Sequence, residues 1–151
     1  MRKKTRKVKA GNIFIGGDAP VSIQGMTKCR TADIKRLLPE VRRMIKAGAE
    51  IVRVAVLDEE DIEGIRILKE KVKIPVVADI HYHRKLAVLA MENGADKIRL
   101  NPGNIPQKGI KEIVKVAKER EIPIRIGINS GSVKIKGSIV DSMVSSAMDT
   151  I

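Results

Sequence analysis

Five short runs rich in Val and Ile recur along this chain, at residues 21–26 (VSIQGM), 51–56 (IVRVAV), 75–80 (PVVADI), 97–101 (KIRLN) and 123–129 (PIRIGIN). They begin near residues 21, 51, 76, 97 and 123, at intervals of 30, 25, 21 and 26 residues. That is the length of a strand plus a crossover helix, so the runs predict a parallel sheet. Helical periodicity fills the gaps. Residues 32–47 carry Ile34, Leu37, Leu38, Val41, Met44 and Ile45 on one stripe, with Gly48 as the stop. Pro39 lies inside this run and predicts a later start or a kink. Asp58 is a predicted N-cap for a helix through Lys71, bearing Ile62, Ile65 and Leu68. Residues 84–93 form the next helix, stopped by Gly94, followed by helices over 107–120 and 138–151.

Alternation within the runs decides what kind of sheet this is. Val52, Val54 and Val56 share one face of the second run, while Ile51, Arg53 and Ala55 share the other. Val76, Ala78 and Ile80 oppose Val77, Asp79 and His81. Ile98 and Leu100 oppose Arg99 and Asn101, and Ile124, Ile126 and Ile128 oppose Arg125, Gly127 and Asn129. In the first run Val21 and Ile23 oppose Ser22 and Gln24. Each strand thus has an apolar face and a polar-bearing one. An open doubly wound sheet is covered on both faces and should be apolar on both. A barrel packs one face on its helices and turns the other inward, with functional groups near the C-terminal strand ends. The expected fold is therefore α/β, a partial (β/α)8 TIM-type barrel of about five βα units. A small β-hairpin, residues 5–9 and 12–15 around Ala10-Gly11-Asn12, precedes it and is closed by Gly16-Gly17. A full barrel needs about 250 residues, and no G-x-G-x-x-G follows the first strand.

On the inward faces Arg53, Arg99 and Arg125 converge with one carboxylate, Asp79, and with His81. A buried positive surplus calls for an anion, and phosphate or diphosphate suits bidentate arginine. Asp79 and His81 together are acid/base candidates, whereas His83 is expected to be merely exposed. Gln24 lies on the same face. The turns Asn101-Pro102-Gly103-Asn104 and Asn129-Ser130-Gly131-Ser132 follow their strands, and their N–H groups can also meet phosphate.

Composition removes several classes. The chain is 43% hydrophobic and 32% charged, which excludes a disordered polymer. No apolar run reaches the roughly 18 residues of a membrane span, and no apolar segment follows the basic N-terminus to make a secretory signal. One cysteine, Cys29, cannot form an internal disulfide, and a reducing cytoplasm is the expected compartment. The net charge is +12, with Arg2, Lys3, Lys4, Arg6, Lys7 and Lys9 clustered at the start. A basic module binding RNA through residues 1–9 is one alternative. One Tyr, one Phe and no Trp leave little for base stacking. A different phosphate-binding barrel, such as a pterin-type synthase, is another.

The stretches GGDAPVSIQGMT (16–27), IVRVAV (51–56), VADIH (77–81), KIRLNPGN (97–104) and IRIGINSGS (124–132) resemble, in order and spacing, the N-terminal barrel of the 4-hydroxy-3-methylbut-2-en-1-yl diphosphate synthase family. The resemblance implies an oxidoreductase of the methylerythritol phosphate route to isoprenoids. That reaction opens 2-C-methyl-D-erythritol 2,4-cyclodiphosphate reductively, on a [4Fe-4S] cluster fed by ferredoxin or flavodoxin, in a protein expected to be a homodimer. It implies a diphosphate held by Arg53, Arg99 and Arg125, with Gln24, Asp79, His81, Asn101, Asn129 and Ser130 around it. Departures accompany it. Gly25 stands where the family commonly has Ser, and the region after Ser132 is shorter. The family's glutamate near the substrate and its three cluster cysteines find no match, and Cys29 is not one of them. The expectation is that residues 1–151 are the N-terminal part of the substrate-binding barrel, without the remaining barrel or the iron–sulfur domain, and inactive alone.

Overall fold

A computed structural model describes residues 3–133 and 137–150; Arg2 of the basic run and residue 151 of the last predicted helix lie outside them. Strands β1 (Val8–Ala10) and β2 (Ile13–Ile15) pair antiparallel across a turn in which Gly11 has φ +58°. Lys7 of the basic run is held in this hairpin, ion-paired to Asp18 and lying over the Phe14 ring.

The main sheet has β3 (Gln24–Met26), β4 (Ile51–Val56), β5 (Val76–Ile80), β6 (Lys97–Leu100) and β7 (Ile124–Ile126), hydrogen-bonded in that order and parallel throughout. Spatial order equals chain order, as in a barrel wound in one direction. A doubly wound sheet reverses direction at a switch point. The connections are α1 (Ile34–Lys46), α2 (Glu59–Lys71), α3 (Arg84–Glu92) and α4 (Gln107–Glu119); α5 (Ile139–Met148) follows β7. Asp33 caps α1 and Asp58 caps α2, each accepting from an N–H three residues on. Helix α1 starts at Ile34 and is continuous past Pro39. Gly48 and Gly94, both at φ +97°, end the turns after α1 and α3.

The core lies between sheet and helices. Val52, Val54, Val56, Val76, Ala78, Ile80, Ile98 and Leu100 pack there with Leu37, Val41, Ile65, Leu68 and Ile113. This is the apolar face that alternation identified. At about 25 cal/mol per Å² such burial is the main stabilising contribution of the fold.

The first strand departs from expectation. It begins at Gln24 rather than Val21, and Val21 and Ile23 are 76% and 58% exposed. The reason is position: among the described residues β3 is an edge strand, paired with β4 alone. Gly25 meets the helix layer so closely that a Cβ there would stand 2.9 Å from Met44 Sδ. The last strand likewise shrinks to three residues at the opposite edge, after which Gly127 N–H donates to Leu100 O at 2.8 Å.

The loop after β3 is fixed by a buried carboxylate. Asp61 accepts from Ala32 N–H and Leu57 N–H, both at 2.9 Å, and Thr31 Oγ1 donates to Ala55 O. Gly64 has no room for a side chain, because a Cβ would overlap Thr31 O. At the other end of the strands, Asp96 accepts from Val76 N–H and Lys69 Nζ, both at 2.7 Å, and Gly11 of the hairpin packs against Asp96 and Pro75.

Candidate functional site

Cross-strand register sorts the inward face into two rows. Met26, Arg53, Val77 and Lys97 stand side by side across β3–β6. One pleat further toward the C-terminal strand ends stand Ala55, Asp79, Arg99 and Arg125, across β4–β7. Of the arginines predicted to converge, Arg53 stands in the first row on β4, across β5 from Arg99, while Arg99 and Arg125 are neighbours in the second row on β6 and β7.

Asp79 is the hub. Its Oδ2 accepts from Arg53 Nε at 3.0 Å and from Arg53 Nη2, while its Oδ1 accepts from Arg99 Nη1 at 3.1 Å. His81 Nε2 stands 3.5 Å from the same Oδ2. Asp79 is 1% exposed and Arg99 5%, so water screens this pairing little. Arg99 Nη2 goes on to Gly127 O at 2.8 Å and to Asn129 Oδ1 at 3.3 Å. Gly127 makes that reach feasible, since a Cβ there would overlap the Arg99 guanidinium.

The loops behind the strands are stitched to one another. Asn101 is 1% exposed, and its Oδ1 accepts from Gly103 N–H at 3.3 Å and Ser132 Oγ at 3.1 Å. Ser132 Oγ also lies within hydrogen-bond reach of Asn129 O. Gly103 abuts Ser132 O with no space for a Cβ. Asn101 thus fixes the loops, while Asn129, Ser130, Arg125 and Gln24 are exposed. His81 is half-buried, and His83, ahead of α3, is exposed as read from the sequence. Thr27, at the end of β3, has a buried Oγ1 without a hydrogen-bond partner among the described residues.

Three roles escaped the sequence reading, which placed Gly127 on the polar-bearing face and Ser132 in a turn but assigned neither a contact. Lys97 has the same parity as Arg99 and could have been found by extending the alternation one residue pair back. Gly127 and Ser132 could not: their roles depend on which strands and loops become neighbours. Lys97 is half-buried and its pKa is lowered, first by burial and then by the positive charge of Arg125.

Among the described residues no group of three or more His, Cys, Asp or Glu is placed to hold a metal ion. Cys29 sits away from the inward face, beside Glu40, which accepts from the N–H groups of Lys28 and Cys29. Burial and then the Glu40 carboxylate push the Cys29 thiol up to about 11. No helix among the described residues is long and apolar enough to cross a membrane.

Comparison with known proteins adds the following. The family model described as the GcpE TIM-barrel domain matches residues 5–151. The 4-hydroxy-3-methylbut-2-en-1-yl diphosphate synthase (flavodoxin) of Thermotoga petrophila is 52% identical over 133 residues, covering 88% of this chain and 39% of that protein. The protein of the same name from Ruminiclostridium cellulolyticum is 50% identical over 154 residues, covering 97% and 44%. The chain thus spans about two fifths of the length of the curated relatives it matches. Among solved structures, a Yersinia pestis dihydropteroate synthase superposes with a TM-score of 0.71 at 12% identity, over 97% of this chain and 57% of that one. A dihydropteroate synthase from Vibrio fischeri gives 0.64 at 15%. At such identities the shared feature is the fold.

Proposed function

The chain belongs to the GcpE TIM-barrel domain family, and from that premise we propose that its inward sheet face holds the diphosphate of 2-C-methyl-D-erythritol 2,4-cyclodiphosphate for reductive ring opening by a 4-hydroxy-3-methylbut-2-en-1-yl diphosphate synthase. One observation carries the reading. Arg53, Lys97, Arg99 and Arg125 share this face in two adjacent rows with a single carboxylate, Asp79. Asp79 neutralises one charge and aligns two guanidinium groups, and the surplus suits a dianionic ligand. His81, beside Asp79, is the acid/base candidate, and Gln24, Asn129 and Ser130 are exposed polar groups at the rim.

In this reading residues 1–151 supply the substrate-holding part of a barrel, in a cytoplasmic enzyme that acts as a homodimer. Flavodoxin, which the relatives' names carry, or ferredoxin supplies electrons. The family's [4Fe-4S] cluster does not fit this chain's residues, which include a single cysteine and, among those described, no group placed to hold a metal, so no redox step is assigned to them. Turnover by these residues alone, with a reductant and no other polypeptide, is not expected.

Titration calorimetry with the cyclic diphosphate tests the assignment. The chain should bind it, and Arg99→Ala should lose most of the heat. Equal heats from both proteins would overturn the site.

A further inference from the structure

Helix α2 packs on β4, the strand before it, and on β5, the next one; α3 does the same on β5 and β6. Each covers the seam between its own strand and the following strand. By that pattern α5 belongs to a seam beyond β7, where no strand pairs among the described residues. The free side of β3 has the converse need, a helix from outside to cover it.

Both places expose apolar side chains. On α5, Val140, Val144 and Met148 recur every four residues and are 64%, 57% and 64% exposed. That spacing keeps them on one stripe. The other side of α5 is polar, with Ser142 buried and Ser146 half-buried. A helix with serines inward and valines outward has its apolar stripe unpartnered. At the opposite edge Val21 and Ile23 are exposed. Ile23, two residues before Gly25, shares the helix-facing parity that brings Gly25 against Met44.

Charge and backbone make the two edges complementary. Residues 138–150 hold Asp141 and Asp149 and no lysine or arginine, in a chain of net charge +12. Helix α1, beside β3, carries Lys35, Arg42, Arg43 and Lys46, all exposed and none in an ion pair among the described residues. The cations of α2 and α3, such as Arg66, Lys69 and Lys85, are paired instead. On β3, Ile23 O accepts from Ile51 N–H and Thr27 N–H donates to Arg53 O, so the alternate residues Gln24 and Met26 direct their backbone groups away from β4. On β7, Pro123 O accepts from Ile98 N–H and Gly127 N–H donates to Leu100 O, which leaves Ile124 and Ile126 directed away from β6.

We infer that the β7–α5 edge of one copy docks on the β3–α1 edge of a second copy, with Val140, Val144 and Met148 lying over Val21 and Ile23. Asp141 and Asp149 then lie toward the unpaired cations of α1. Strand β7 of one copy meets β3 of the other in parallel, the sense of every pair in the sheet. Because the two edges differ, a two-fold pair makes the same contact twice and leaves no edge open.

Sedimentation velocity of the 151-residue chain across a range of concentrations tests this. It reads association alone, so its outcome is separate from that of diphosphate binding. The parent chain should sediment as a dimer. Val144→Lys sets a cation against α1, and Val21→Glu sets an acid against α5. Both positions are exposed, so far-UV circular dichroism should match the parent. Each variant should associate roughly tenfold or more weakly, because a charge in an apolar contact loses its water. Mixing the two variants should restore dimers: one contact of the mixed pair is then parental, and the other sets the new cation against the new acid. Failure to restore dimers on mixing would mean that α5 packs on α5, and overturns the proposal. A monomeric parent, an open-ended assembly, or association unchanged in Val144→Lys overturns it as well.

Discussion

Gly127 and Arg99 occupy one another's space: a Cβ on Gly127 would overlap the guanidinium that donates to the Gly127 carbonyl. A glycine just past the end of edge strand β7 is therefore part of the site. Gly127→Ala should push Arg99 off both Gly127 O and Asn129. Overpacking of this kind costs about 1–3 kcal/mol, and affinity for the cyclic diphosphate should fall with it. Urea denaturation and calorimetry on the variant check both. An alanine variant as stable and as tight as the parent would mean that Arg99 has another resting place.

Asp79 separates two cations that would otherwise repel. Replacing it with Asn keeps the shape and removes the charge, leaving Arg99 buried beside Arg53 without a counter-ion. Breaking a buried pair on one side costs about 3 kcal/mol. Thermal melts should show the loss, and pyrophosphate should recover a larger share of it in Asp79→Asn than it adds to the parent. A melt indistinguishable from the parent would mean that the arginines find other partners.

Glu121, just past α4, holds φ +55°, the sole non-glycine residue at positive φ among those described. Its N–H reaches Lys118 O, and Ile122 N–H reaches Ala117 O at 2.9 Å. This is a helix-ending turn in which glycine is the usual occupant. Relief of the left-handed strain is worth about 1 kcal/mol, partly offset by the freer unfolded chain. Glu121→Gly should raise the urea midpoint at unchanged m-value; a lower midpoint would count against it.

Cys29 ties folding to alkaline pH. Its thiol is raised from 9.0 to about 11 in the fold, by burial first and then by Glu40. A raised pKa means that the folded state keeps its proton longer than the unfolded chain. The contribution is complete below pH 9 and is lost as pH climbs through about 11. Stability should decline across that window more steeply in the parent than in Cys29→Ser, and iodoacetamide should alkylate the folded thiol slowly at neutral pH. Rapid neutral-pH alkylation would show a thiolate instead. Glu40 behaves in the opposite sense. Burial opposes its ionisation, but hydrogen bonds from the Cys29 thiol and the Lys28 and Cys29 amides leave its pKa lowered. Its share of stability is present above the ordinary carboxylate range and disappears on acidification.

Much of this architecture was legible in the sequence because strand and helix periodicities are local. Alternation in IVRVAV or KIRLN sets which side chains share a face whatever the strand pairs with. Spacing near 25 residues leaves room for one crossover helix and little else. The same logic failed at Val21 and Ile23, whose apolar alternation predicts a covered strand. Coverage depends on a neighbour, and an edge strand lacks one.

The sequence by itself determined that the strands are parallel, that helices cover one face, and that Arg53, Asp79, Arg99 and Arg125 look the other way. These follow from a side-chain period of two along an extended backbone. Only the tertiary structure decided how those groups are shared. Register across β4–β7 placed Arg53 and Arg99 on one carboxylate, let Arg99 fill the space above Gly127, and left Lys97 and Arg125 without an ion pair among the described residues. Those outcomes turn on contacts between residues twenty or more positions apart, and no local pattern encodes which distant strand will supply the counter-charge.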